Sequence, residues 1–260
     1  MNLEQKRSLN PKYQDVRQVD GMQLVIDWNI RQQFAFMFEI DTQIARDHIP
    51  PETRLQPYEI RPGVSLMFLG YNDYNPGNMI NGEALPAFDE ITRFFMVQPN
   101  LSLSMPIPRF TFYVHRIGSN NKTFNRQEED LLHLPSFYSS SLKAETDESK
   151  TCLKVYDEQG PVREFINTHP EPSFLYDAFF GQYYTMQENN LYFGVWYWSG
   201  KICIHQKKGY AGKIYEHPFL TDLKKTIQPG DLGDCYMQMF SAYDENLVQR
   251  FYQPKLIRSF

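Results

Sequence analysis

Two charged residues, each at the start of a segment with strand periodicity, could bind a small organic acid and transfer a proton to or from it. Arg31 precedes the alternating stretch "QQFAFMFEI", and a guanidinium can bind a carboxylate through two parallel hydrogen bonds. Glu90 heads "EITRFFMV", where strand alternation places it on one side with Thr92, Phe94 and Met96. If that side faces an apolar interior, burial raises the pKa of the Glu90 carboxyl and suits it to proton transfer.

A third segment, "HLPSFYSSSLKAE" at residues 133–145, follows an acidic stretch and carries several hydrogen-bonding side chains. His133 and Tyr138 flank Ser136, and either could donate a proton or a hydrogen bond. Lys143 alternates with apolar neighbours on the strand that follows, which predicts a solvated side chain.

Signature motifs for several other chemistries are absent from the sequence. It contains no GxSxG turn, no GxGxxG or GxxxxGK phosphate loop and no HExxH metal motif. Its three cysteines form no CxxC pair, which argues against a zinc ribbon or a disulfide framework. We therefore expect no cofactor and no bound metal.

Charge and composition narrow the class of protein further. The formal net charge of -5, from 26 basic and 31 acidic residues, gives no general affinity for nucleic acid or an anionic membrane. The polar N-terminal stretch lacks an apolar signal core, and no apolar run approaches the roughly 18 residues of a membrane helix. These features predict a soluble, cytoplasmic protein with reduced thiols. Aromatic residues make up 15%, which favours broad apolar walls in a core or a pocket.

The dominant period along the chain is two, which predicts many strands. The predicted strands are "QQFAFMFEI", "VSLMFLGY", "DEITRFFMVQP", "RFTFYVHRI", "KTCLKVYDE", "LYFGVWYWS", "KICIHQK" and "DCYMQMFSAY". Turn residues separate them at 75–77, 158–161 and 199–200. Many strands with few helices indicate a mainly β protein built on a large antiparallel sheet, barrel or sandwich.

Three short helices are predicted. "DTQIARDHIPP" begins at Asp41 or Thr42 and ends before its double proline. "NRQEEDLL" has Asn125 as its predicted cap, with Glu128 three residues later in the position of a capping box. "HPFLTDLKKTI" is the third.

Taken in order, these motifs resemble the acetoacetate decarboxylase-like family over roughly residues 25 to 168. The resemblance implies a large antiparallel β-barrel or cone with an internal cavity, a few peripheral helices and an oligomeric assembly. It predicts an arm at residues 1–20 and a single barrel domain at 21–260. Decarboxylases of this family form a Schiff base through a lysine, and acetoacetate decarboxylase is itself a standard example of a lysine activated by desolvation or a cationic neighbour.

The resemblance assigns the family's assisting arginine to Arg31 and its glutamate to Glu90. At the position of the family lysine this chain has Ser136, followed by Phe137 in place of a cationic neighbour. Serine cannot form an imine, so the resemblance implies chemistry without a Schiff base unless another lysine substitutes. Lys154 is the better candidate for such a substitute.

Two functions follow as alternatives. The first is a lyase-class enzyme, or a related isomerase, hydratase or cyclase, that acts on a small keto acid or related enolisable carboxylate. In it Arg31 holds the carboxylate, Glu90 moves a proton and Ser136 stabilises the enolate. The second is a non-catalytic small-molecule-binding barrel with an aromatic-lined pocket, and an unrelated lipocalin-like barrel is a third, weaker interpretation. The expected partners are a small molecule and further copies of the chain. The predicted substrate-binding residues are His133, Phe137, Tyr138, Phe94 and Met96.

Overall fold

The computed structural model of the 260-residue chain describes residues 17–19, 21–78, 82–98, 109–146, 152–167, 174–206, 210–220, 230–231, 237–242 and 248–260. Two α-helices lie in these ranges, α1 (Thr42–His48) and α2 (Lys122–Leu132), with a 3-10 turn at Pro51–Thr53. The strands are β1 (Gln18–Val19), β2 (Met22–Asp41), β3 (Glu59–Arg61), β4 (Val64–Tyr74), β5 (Gly77–Asn78), β6 (Ala84–Leu85), β7 (Phe88–Met96), β8 (Arg109–Ser119), β9 (Ser136–Tyr138), β10 (Lys143–Thr146), β11 (Cys152–Asp157), β12 (Gly160–Asn167), β13 (Phe174–Gln187), β14 (Asn190–Gln206), β15 (Tyr210–Ile214), β16 (Gly230–Asp231), β17 (Met237–Ala242), β18 (Val248–Tyr252) and β19 (Lys255–Ser259).

Seven of these strands close into a barrel. They follow the order β2–β17–β14–β13–β8–β7–β4, and β4 pairs back onto β2. The β8–β13 pair is parallel, and the other pairs in the ring are antiparallel. Because the ring is closed, each of its strands has a neighbouring strand on both sides and no sheet edge is left free in the ring. The structure confirms the predicted mainly β barrel with a few short helices.

Side chains alternate between two hydrophobic cores on either side of the barrel wall. Ala35 and Met37 on β2 point into the barrel, whereas Phe34 and Ile40 belong to the outer core. A five-stranded sheet of β10, β11, β12, β15 and β16 contributes apolar residues such as Val155 to that outer core. The predicted alternation is therefore present, with an apolar core on each side of the wall.

One predicted turn is wrong. The Ser199–Gly200 pair lies inside β14, which runs without interruption across both predicted strands. Strand β14 changes partner at this place, from β18 at 196–199 to β17 at 203–206. The chain therefore does not reverse at this serine and glycine. They mark the place where the pairing of β14 with β18 stops, before its pairing with β17 begins.

The predicted cap of the second helix is also wrong. Helix α2 begins at Lys122, and the Asn121 side chain accepts a hydrogen bond from the Phe124 backbone N–H at 3.1 Å. Asn125 lies inside the helix, and its amide donates to the carbonyl of Phe137 at 2.7 Å. The predicted start of α1 is confirmed, with Asp41 as its cap.

The third predicted helix falls largely outside the described residues, and its first residues, 217–220, form a turn. Among the described residues, no helix is both long enough and apolar enough to cross a membrane.

Candidate functional site

The barrel encloses a small cavity lined mostly by aromatic and aliphatic side chains. Its volume is about 20 Å³, which is room for a single water molecule. The polar residues of its wall are Gln33, Asn72, Glu90, Thr92 and Gln249. The remaining wall residues are Phe68, Gly70, Phe94, Val114, Ile117, Leu134, Trp196, Trp198 and Phe251. Among these described wall residues there is no lysine and no arginine.

Glu90 lies in this wall on β7, where the alternation predicts an inward side chain, and only 1% of it is exposed. Asn72, directly opposite on β4, donates from its amide nitrogen to Glu90 Oε1 at 2.6 Å. Gln33 Nε2 in turn donates to Asn72 Oδ1 at 2.9 Å. The Tyr74 hydroxyl lies 3.4 Å from both Glu90 oxygens and donates to Gln249 Oε1 at 2.8 Å. The carboxyl is thus held by polar side chains from several strands inside an otherwise apolar barrel.

A second fully buried carboxyl, Glu128 on α2, lies close enough to Glu90 that each carboxyl changes the pKa of the other. The Ser136 hydroxyl donates to Glu128 Oε2 at 2.9 Å. Ser136 is therefore hydrogen-bonded to a buried carboxyl that interacts electrostatically with Glu90. The capping-box pattern gave Glu128 a purely local role, but Phe124 and Leu132, four residues to either side, are both buried. That spacing puts Glu128 on the buried face of the helix, and it is the signal that could have found this residue.

Burial raises the pKa of both carboxyls. Desolvation is the largest cause for Glu90 and raises its pKa to about 7, although the hydrogen bond from Asn72 favours the charged form. Desolvation and the charge of Glu90 hold the pKa of Glu128 well above its ordinary value. Of the two carboxyls, Glu128 is held toward its protonated form by burial and by the charge of Glu90, and Glu90 is the member with a pKa near neutrality. A carboxyl with a pKa near 7 can both take and return a proton under these conditions.

A wide groove opens on the outer side of the same wall, with a volume of about 600 Å³. Strand β8 changes neighbours here, because β13 pairs with it as far as Tyr113 and β9 pairs with it from Ile117. Leu134 lines both the groove and the cavity. The full lining of the groove is Arg93, His115, Arg116, Glu129, His133, Leu134, Pro135, Ser136, Phe137, Met186 and Gln187.

The predicted binding residues are divided between these two spaces and the surface. Phe94 lines the cavity, and Met96 packs against the inner core without lining it. His133 and Phe137 line the groove. Tyr138 is 44% exposed and lines neither space.

Arg31, the predicted carboxylate-binding residue, does not line the cavity. It stands at a β-bulge at residues 30–32, and its side chain is 61% exposed. Its guanidinium pairs with both oxygens of Asp73, at 2.7 and 2.9 Å. Asp73 follows Asn72 on β4 and therefore faces away from Glu90. The structure thus brings Glu90 and Ser136 together through Glu128 and places Arg31 on the opposite side of the wall.

The lysines considered as substitutes for a Schiff-base lysine lie away from this site. Lys143 is exposed, as predicted, and its ammonium sits 4.9 Å above the ring of Tyr156. Lys154 belongs to the same five-stranded sheet, outside the barrel wall. Within the part of the chain that the structure describes, no group of three or more His, Cys, Asp or Glu side chains is arranged to hold a metal ion.

Sequence comparison adds little, because no protein-family profile and no curated protein matches the chain. Comparison of structures does find relatives. An acetoacetate decarboxylase is similar with a TM-score of 0.60 at 12% identity, over 91% of this chain and 90% of that one. The acetoacetate decarboxylase of Legionella pneumophila gives 0.54 at 10% identity, over 96% and 94% of the two chains.

The enduracididine biosynthesis enzyme MppR, solved in complex with pyruvate, gives a TM-score of 0.50 at 10% identity, over 92% of this chain and 93% of that one. Together these similarities confirm the predicted acetoacetate decarboxylase-like fold. At such low sequence identity they establish the fold alone.

Proposed function

We propose that this chain is an acetoacetate decarboxylase-like enzyme that moves a proton at the carbon next to the carbonyl of a small keto acid, without forming a Schiff base. The observation that carries the proposal is a pair of fully buried carboxyls, Glu90 in the cavity wall and Glu128 on α2, each of which changes the pKa of the other. Burying ionisable groups costs stability, and carboxyls with strongly raised pKa values cluster at functional sites. The shared fold supports the same assignment.

In the proposed step, ionised Glu90 takes a proton from the carbon beside the substrate carbonyl. The C–H electron pair forms the carbon–carbon double bond of an enolate, and the carbonyl π electrons move onto oxygen. The Asn72 amide, which donates to Glu90 Oε1, favours the ionised form of Glu90 before the transfer. The Trp196 indole N–H is buried without a hydrogen-bond partner among the described residues, and is an available donor in the cavity wall for the enolate oxygen.

Enolate chemistry is favoured over imine chemistry by two features. The described residues of the cavity wall include no lysine. Ser136, which the resemblance assigns to the position of the family lysine, donates a hydrogen bond from its hydroxyl to Glu128. The same enolate can lead to decarboxylation, dehydration or isomerisation, so proton transfer is the step to which the proposal commits.

Exchange of the methyl protons of pyruvate in deuterium oxide, followed by proton NMR, tests this step. Pyruvate is the probe because MppR, which shares the fold, was solved with it. We expect the wild-type protein to accelerate the exchange, and Glu90→Gln to slow it by roughly 10² to 10⁴-fold, the usual contribution of a general base. The matched control is Glu59→Gln, which alters an exposed carboxyl on β3. Borohydride added during the reaction should leave the mass of the protein unchanged.

Two results would contradict the proposal. Exchange that survives Glu90→Gln at the wild-type rate removes the assigned base. A mass increase on a lysine after borohydride treatment restores the Schiff base. Binding of pyruvate without any exchange would instead favour the non-catalytic binding barrel.

A further inference from the structure

The cavity is closed in this structure, and the groove beside it is open. The cavity holds about 20 Å³, too little for an organic acid, whereas the groove holds about 600 Å³. All three tryptophans of the chain, Trp28, Trp196 and Trp198, are buried in the inner core. A ligand that reaches Glu90 must therefore displace a side chain of the wall.

Leu134 is the side chain that separates the two spaces. It is almost completely buried and lines the cavity on one side and the groove on the other. It lies in the short connection between α2 and β9. At this place the strand that pairs with β8 changes from β13 to β9. The barrel wall is therefore formed here by one leucine side chain and a connecting segment, with no strand pairing across the gap.

The groove carries positive charge next to this leucine. The Arg116 guanidinium lies 4.8 Å above the ring of Phe137 and 5.8 Å from that of Phe219, and one of its N–H groups donates to the carbonyl of Pro218 at 3.3 Å. Two aromatic rings thus orient the guanidinium while most of its N–H donors stay available for a planar anion.

Arg93 adds a second guanidinium to the groove lining. It is fully buried and donates to the carbonyl of Phe219 at 2.6 Å and to His115 Nδ1. Among the described lining residues, these two arginines face a single carboxylate, that of Glu129. The balance of charge favours an anionic ligand.

We propose that the groove is the entrance to the barrel, that Arg116 captures the carboxylate of a small organic acid there, and that Leu134 moves aside to admit the carbonyl end. This rests on the proposed function for the chemistry that follows, and it gives Arg116 the carboxylate-binding role predicted for Arg31. It also keeps the substrate carboxylate in the groove, apart from the ionised Glu90, which avoids the repulsion of two buried anions.

Collisional quenching of tryptophan fluorescence tests the entrance without any need for turnover. Acrylamide is the neutral quencher, and iodide is the anionic quencher. We expect both to quench the wild-type protein weakly and Leu134→Ala several-fold more strongly, with Leu134→Val in between as a milder variant should the alanine variant fail to fold. Leu132→Ala is the matched control, because Leu132 is buried in the same core but lines neither space.

The charge of the groove is tested in the Leu134→Ala background. Adding Arg116→Gln should reduce iodide quenching several-fold and leave acrylamide quenching unchanged, while adding Arg126→Gln, an exposed arginine on α2, should change neither. Pyruvate should suppress iodide quenching by competing for Arg116, whereas its uncharged methyl ester should not. Loss of Arg116 should weaken this competition by roughly tenfold or more, the effect of losing one charge-assisted hydrogen bond.

Each arm has a result that overturns its part of the proposal. Equal quenching of Leu134→Ala and Leu132→Ala would show that the groove does not lead inside. Iodide quenching that is insensitive to Arg116→Gln would remove the anion site, and failure of pyruvate to compete would exclude a carboxylate as its ligand. If these results hold while Glu90→Gln keeps full exchange activity, the entrance stands and the proposed chemistry fails.

Discussion

Replacing Glu128 by glutamine should make the protein more stable at neutral pH. The glutamine carbonyl oxygen can still accept from Ser136, and the amide has nearly the same size and shape as the carboxyl that it replaces. What the substitution removes is a buried group that must hold a proton to remain neutral. The variant therefore isolates the cost of keeping that proton in the folded state.

The sign follows from the raised pKa values. An unfolded glutamate loses its proton near pH 4.5, whereas folded Glu90 keeps it until about pH 7, and the pKa of folded Glu128 is also raised by burial. Between these values the folded state binds more protons, so the free energy of unfolding falls as pH rises. The shift of Glu90 alone corresponds to roughly 3 kcal/mol, fully present below pH 4.5 and lost by about pH 7. The shift of Glu128 extends the loss to higher pH.

Urea unfolding from pH 5 to pH 8 measures this dependence. We expect Glu128→Gln to match the wild type at pH 5, where Glu128 is protonated, and to exceed it by about 1 to 3 kcal/mol at pH 8. Glu129→Gln, an exposed neighbour on the same helix, should follow the wild-type slope. If Glu128→Gln keeps the wild-type slope, Glu128 is not a buried proton carrier. If it is destabilised at pH 5, the hydrogen bonds do not tolerate an amide and the reasoning from geometry is wrong.

Two further predictions concern the barrel wall. Arg31→Ala should leave pyruvate exchange unchanged and lower the free energy of unfolding by about 1 to 3 kcal/mol, because it removes two hydrogen bonds from the buried Asp73 carboxylate on the outer side of the wall. A large loss of exchange without loss of stability would return Arg31 to the active site. Gly181→Ala should cost about 1 to 3 kcal/mol in urea unfolding, because a Cβ there would lie 1.9 Å from Trp196 Nε1 on the paired strand. An unchanged unfolding midpoint would mean that the Trp196 ring can move away at no cost.

The alternation of apolar residues was enough to predict most strands and the mainly β class. A period of two depends only on the geometry of each strand, so it is readable locally. The same local rule placed Glu90 on one side with Thr92 and Phe94, and all three line the cavity. The sequence also predicts a departure from the family pattern at Ser136, which rests on motif order alone and stays a prediction.

The pairing of Glu90 with Glu128 was decided only by the tertiary structure. The two residues are far apart in sequence and meet because helix α2 turns its buried face toward the barrel. Arg31 is a predicted site residue that the tertiary structure excludes from the cavity. A one-residue bulge at 30–32 interrupts the alternation of β2 and places the Arg31 side chain on the outer face. Local periodicity thus determined which strands form and which residues of each strand share a face. Closure of the barrel decided which side chains meet inside it, because that depends on register, bulges and helix docking along the whole chain.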